Sequence, residues 1–159
     1  MKSILKYPVL LAFFPVIILL SGCGGKTVAF EQRVGEPRFR YEVFIHGINP
    51  QKITSSIYDD GYVITTIDNV YSGEGKETKG DFVSKNRVSE LVSFFLSEGF
   101  LDMEPLSMPA LYGGEVVTIS FYHGGKSQSL KFLKGTKLPP SFEKCWDRLH
   151  ALIEHIIEP

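Results

Sequence analysis

The sequence predicts an α+β fold in which an antiparallel sheet of about five strands carries two helices on one face, a two-layer sandwich. Three observations predict it. Apolar and polar residues alternate from Arg38 to His46, and a Gly124-Gly125 hairpin sorts apolar from polar on both arms in one register. Two further stretches, after Ser84 and after Pro139-Pro140, carry apolar stripes at helical spacing.

The first strand places Phe39, Tyr41, Val43 and Ile45 on one face and Arg38, Arg40, Glu42 and His46 on the other, and Asn49-Pro50 ends it. Two β-prone runs follow in "ITSSIYDDGYVITTI", on either side of Asp60-Gly61, a dipeptide suited to positive φ in a hairpin turn. Another strand is expected from Lys76 to Val83, after the glycine-rich turn at Gly73 to Gly75. In "SKNRVSELVSFFLSEGF", Ser84 can cap a helix and Val88, Leu91, Val92 and Phe95 form its stripe. Gly99 is placed to end that helix in a left-handed conformation, with Phe100 folding back.

The clearest hairpin is "EVVTISFYHGGKSQSLKFL". With Gly124-Gly125 as a two-residue turn, His123 pairs with Lys126, Phe121 with Gln128, Ile119 with Leu130 and Val117 with Phe132. The other face then carries Tyr122 with Ser127, Ser120 with Ser129 and Thr118 with Lys131, so Ser120 and Ser129 are expected to face outward. A sheet with one wet face needs cover on the other. The closing helix, capped by Ser141, supplies it with Phe142, Cys145, Trp146, Leu149, Leu152, Ile153 and Ile156 on its buried side.

The start of the chain has a different character. Lys2 and Lys6 precede the apolar run "YPVLLAFFPVIILL", residues 7–20, the layout of a secretory signal. At 1.5 Å per residue that run reaches about 21 Å, short of the ~30 Å hydrocarbon core. Leu20-Ser21-Gly22-Cys23 then resembles the bacterial lipobox. The resemblance implies cleavage between Gly22 and Cys23 and a diacylglycerol on the Cys23 thiol, which becomes the first mature residue. Gly24, where enteric-type bacteria place an inner-membrane retention aspartate, implies the outer membrane, facing the periplasm, in an organism that has one. Residues 1–22 are thus read as the signal, 23–37 as lipidated N-terminus and tether, and 38–159 as a single domain. Gly25-Lys26-Thr27 lacks the upstream glycine of a phosphate-binding loop, since position 20 is Leu. A disulfide between Cys23 and Cys145, the two cysteines of the chain, would compete with lipidation for the same thiol.

From about Ile53 to Ile156 the chain also resembles an uncharacterised family of small bacterial envelope domains. The resembling stretches are "IYDDGYVI", "NVYSGEGK", "VSELVSFFLSEGFLDM", "VVTISFYHGGKSQSLKF" and "PPSFEKCWDRLHALIE". Members of that family often carry a cysteine pair before the first strand, and "GEPRFRYEV" has none. The resemblance implies the fold and the envelope, and brings no activity or functional residues with it.

Chemistry is harder to find. The formal net charge is −1, and loss of Lys2 and Lys6 with the leader makes the remainder more acidic, so no nucleic-acid footprint is present. Among the four histidines, His150 and His155 lie about 140° apart around a helix and cannot share a ligand face. Asp147, His150 and Glu154 share a polar face, a weak metal-site candidate set against a solvated face with His150–Glu154 pairing. Cys145 reads as a buried, inert thiol, and Asp59-Asp60 as turn residues. Met103, Met108 and Tyr112 border a loop over residues 102–115 that could meet a partner, or simply pack.

The expectation is a lipid-anchored bacterial envelope protein that is not an enzyme and works as a binding or structural module. Its partners are membrane lipid through Cys23 and an envelope protein or cell-wall component, with no cofactor beyond the covalent lipid and no nucleic acid. The alternatives are a periplasmic inhibitor of an envelope hydrolase, and a weak metal-binding protein or enzyme using Asp147, His150 and Glu154.

Overall fold

The computed structural model describes residues 35–70, 76–108 and 113–157, with side chains through residue 154. Cys23 and the rest of the lipobox, the turn at Gly73 to Gly75, Tyr112 and the side chain of Ile156 lie outside the described residues.

The fold is α+β, with a six-stranded antiparallel sheet and two helices. In chain order the elements are β1 (Phe39–His46), β2 (Gln51–Ile57), β3 (Tyr62–Asn69), β4 (Glu77–Phe82), α1 (Lys85–Ser97), a 3₁₀ turn (Phe100–Asp102), β5 (Gly114–His123), β6 (Lys126–Leu133) and α2 (Pro140–Ile157). The strand order is β4-β3-β2-β1-β5-β6, so β1 sits centrally between β2 and β5. Six strands agree with the expected sheet of about five, and β4 forms within the stretch expected over Lys76 to Val83. Its sequence ETKGDF has no apolar alternation and every residue is exposed, so the ladder to β3 rather than burial holds it.

The β5–β6 hairpin adopts the register that its pattern predicts, with Val117 opposite Phe132, Ile119 opposite Leu130, Phe121 opposite Gln128 and His123 opposite Lys126. Gly124 and Gly125 form the turn, both at positive φ. Ser120 keeps its predicted face, opposite the exposed Ser129, but is itself buried there at 6 % exposure. It lies opposite Arg40 in the ladder and accepts a hydrogen bond from the Ser129 hydroxyl at 2.8 Å, so a polar partner, not water, satisfies it.

Helix α1 begins as expected, with the Ser84 Oγ accepting from the Arg87 N–H at 3.3 Å. It ends at Gly99, whose φ of 72° turns the chain into the 3₁₀ segment and drives Phe100 into the core. Helix α2 departs from its predicted start. Pro140 is its first residue and Ser141 lies inside the first turn, because a proline with preset φ and no N–H to lose suits the opening position. Phe142, Cys145, Leu149 and Ile153 form its buried stripe, and Trp146 is half-buried against Phe132 (5.3 Å) and Tyr41 (5.7 Å).

An aromatic cluster joins the sheet and helices. Phe121 stacks on Phe39 at 4.9 Å and meets Phe95 at 5.4 Å and Phe100 at 6.1 Å, all four fully buried. Each such side chain contributes about 1.5–3 kcal/mol of burial. Between β2 and β3 the interior also takes a polar pair, Ser55 and Thr65, whose hydroxyls lie 2.9 Å apart and satisfy each other.

Candidate functional site

The three polar-face residues of α2 do not assemble into a site. His150 Nδ1 lies 3.5 Å from Glu154 Oε1, an i,i+4 pair, while the His150 ring packs against Trp146 at 4.4 Å and Tyr41 at 6.3 Å. Asp147 does not join them: among the described residues no three His, Cys, Asp or Glu side chains converge as metal ligands would. His46 sits against Phe44 at 4.5 Å, and His123 lies at the far end of β5 from Gly114.

Cys145 is fully buried, and burial pushes its thiol pKa up to about 12, which keeps it in the weakly nucleophilic thiol form at neutral pH. Asp60 serves its turn, with Oδ1 accepting the Tyr62 N–H at 3.1 Å.

Asp59 has a further role that its sequence context conceals. Arg38 donates to both carboxylate oxygens, from Nε to Oδ1 at 2.6 Å and from Nη2 to Oδ2 at 2.5 Å. Its Nη1 donates to the Tyr122 carbonyl at 2.7 Å and lies 3.3 Å from His123 Nδ1. One guanidinium at the start of β1 therefore clasps the β2–β3 turn to the end of β5. Strand alternation places Arg38 on the polar face and names no partner for it. The pairing becomes visible only once β1 is known to lie between β2 and β5.

The Arg38 hydrogen bonds hold the Asp59 carboxyl below the usual carboxylate range, and Asp59 in turn raises Arg38. Because the folded pKa is depressed, the stabilisation is fully present above the ordinary aspartate value of about 3.9 and is lost as pH falls through the lowered one. Asp59 is 66 % exposed, so the pair is worth at most about 1 kcal/mol. Asp59→Asn is expected to lower the urea midpoint slightly at pH 7, with the gap to the parent closing below about pH 4. A gap that stays constant across that range would show that Arg38 and Asp59 do not couple in solution.

An apolar concave surface lies elsewhere, where the chain leaving the 3₁₀ turn passes the β6 edge and the entry to α2. Two adjoining pockets, each about 430 Å³, share Leu106, Ser107 and Pro139. Leu130 and Phe132 of β6 and Phe142 of α2 contribute to their apolar lining. Met103 packs on the core, and its carbonyl accepts a hydrogen bond from Gln128 Nε2, which ties this loop to β6. Glu98, Glu104 and Lys137 stand among the lining residues. An apolar floor of this kind suits the docking of an apolar group. Of the residues expected to border a partner-binding loop, Met103 and Met108 are both half-buried.

No protein-family model matches the chain, and no curated protein matches it.

Proposed function

We propose that this chain is a lipid-anchored protein of the bacterial envelope whose folded domain acts as a non-catalytic binding module. The observation that carries the reading is the sequence Leu20-Ser21-Gly22-Cys23, directly after a charged start and an apolar run too short to span a bilayer. A diacylated cysteine anchors strongly, because each buried methylene contributes about 0.8 kcal/mol and two chains together exceed the threshold for stable attachment. Gly24 directs such a protein to the outer membrane, facing the periplasm, where the organism has one.

The binding role rests on the groove between residues 103–107, β6 and the start of α2. It has an apolar floor open to solvent, with Glu98, Glu104 and Lys137 among its lining residues. The partner it suits is an envelope protein or cell-wall component presenting an apolar group.

The anchor is tested by fractionation of the full-length chain. The parent is expected in the membrane pellet and extractable only by detergent, whereas Cys23→Ser is expected to lose the lipid and with it stable acyl anchoring. Equal detergent-dependent retention of the two would remove the reading.

A further inference from the structure

We propose that the outer edge of β4 is a self-recognition surface, on which a second copy of this chain adds its own β4 antiparallel about a two-fold axis at Gly80, making one continuous sheet. Strand β4 is an end strand of the sheet, and all of its residues are exposed. Which of its backbone groups face outward follows from the ladder. Val83 N–H donates to the Gly61 carbonyl at 2.8 Å, and Tyr62 lies opposite Phe82. The alternation of antiparallel pairing then directs the backbone groups of Glu77, Lys79 and Asp81 to β3 and those of Thr78, Gly80 and Phe82 outward.

A two-fold axis at Gly80 uses all three outward-facing residues on both copies. Gly80 meets its own counterpart and Thr78 meets Phe82, each as a hydrogen-bonded pair. Lys79 then falls opposite Asp81 of the other copy, in the non-hydrogen-bonded position where Cα atoms approach to about 4.5 Å and side chains are closest. The symmetry repeats that contact, so opposite charges meet twice in an isologous interface.

Three features of the isolated chain fit this use. Phe82 is 67 % exposed, and its ring, 4.7 Å from that of Tyr62, shares the open face with Gly80. In the paired sheet it lies diagonal to the other copy's Gly80, which has no side chain to oppose it. The outward Phe82 N–H is meanwhile occupied by Asp81 Oδ1 at 2.7 Å and Lys79 Nζ lies 3.2 Å from Glu77 Oε1, two exposed contacts that Asp81 and Lys79 exchange for each other across the two copies. The opposite edge is arranged differently: Gln128 Oε1 accepts the Ser129 N–H at 3.2 Å, and Gln128 Nε2 bonds the loop after the 3₁₀ turn. That edge has its own cover.

The test uses the full-length chain in mild detergent, with mass read by sedimentation equilibrium and folding by circular dichroism. The parent is expected to be dimeric at high micromolar concentration. Lys79→Asp and Asp81→Lys should each lose the dimer while keeping the parent's folded circular-dichroism spectrum, and the double exchange K79D/D81K should regain it, because the charges then meet in reversed order. A monomeric parent, a dimer surviving Asp81→Lys, or a double exchange that stays monomeric would each overturn the proposal. Amide exchange of the parent gives a second reading that needs no variant. Gly80 and Thr78 should exchange more slowly as concentration rises, and exchange independent of concentration would contradict the interface.

Discussion

Phe121→Ala is expected to destabilise the domain by about 3–5 kcal/mol, the range for truncating a buried aromatic side chain. Phe121 is fully buried and is the residue at which the two layers meet: it stacks on Phe39 of β1, touches Phe95 of α1 and reaches Phe100 in the 3₁₀ turn. Removing it takes one wall from each of those contacts at once. The rings around the void come from separate elements fixed by the sheet ladder and by α1, so they cannot all close in to fill it. Against a typical total stability of about 5–15 kcal/mol, such a loss moves the urea midpoint far towards water. Equilibrium unfolding followed by tryptophan fluorescence checks it, since Trp146 packs against Phe132 and Tyr41 in the folded core. A loss below about 1 kcal/mol would mean that this part of the core can repack.

Gly61→Ala is the second large effect, through the backbone. Gly61 holds φ at 88°, and a Cβ there would lie 2.0 Å from the Val83 carbonyl oxygen. The same glycine accepts the Val83 N–H that closes β3 against β4, so the backbone cannot withdraw without loosening the ladder that keeps β4 in place. A left-handed alanine costs roughly 1–2 kcal/mol, and forcing a methyl into filled space costs about 1–3 kcal/mol more. Gly99 supplies the control. Its φ of 72° carries the same conformational penalty, but a Cβ there meets nothing within 4 Å. Gly99→Ala is therefore expected to lose only about 1–2 kcal/mol, so the two variants should separate clearly in thermal unfolding. Equal losses would place the whole cost in φ and none in the Val83 contact.

How far the sequence disclosed this fold depended on where burial and turn chemistry agreed. The β5–β6 hairpin was legible to the residue, because alternation on both arms and a Gly-Gly turn admit one register. Ser84 and Gly99 likewise marked the two ends of α1 by local chemistry alone. Strand β4 was harder to read, since ETKGDF has no face to bury and the pairing with β3 alone makes it a strand. Ser120 looked solvent-facing because alternation assigns a face but cannot say that Arg40 will stand beside it. The Arg38–Asp59 clasp joins residues far apart in the chain whose meeting depends on strand order, which no local pattern encodes. The groove is similar: its parts are a hairpin arm, a loop and a helix start in the sequence, and only the tertiary fold sets them around one space. Shared helical phase suggested grouping Asp147, His150 and Glu154, but phase fixes direction and not convergence, and His150 instead leans on Trp146.

The anchor is proposed to be a diacylglycerol on Cys23. Intact-mass measurement of the protein extracted from membranes tests it most directly. The expected species is a chain beginning at Cys23, with Met1 to Gly22 removed and the mass of a diacylglycerol added, with or without a third acyl chain. A species that retains Met1 to Gly22 and shows an unmodified Cys23 would contradict it.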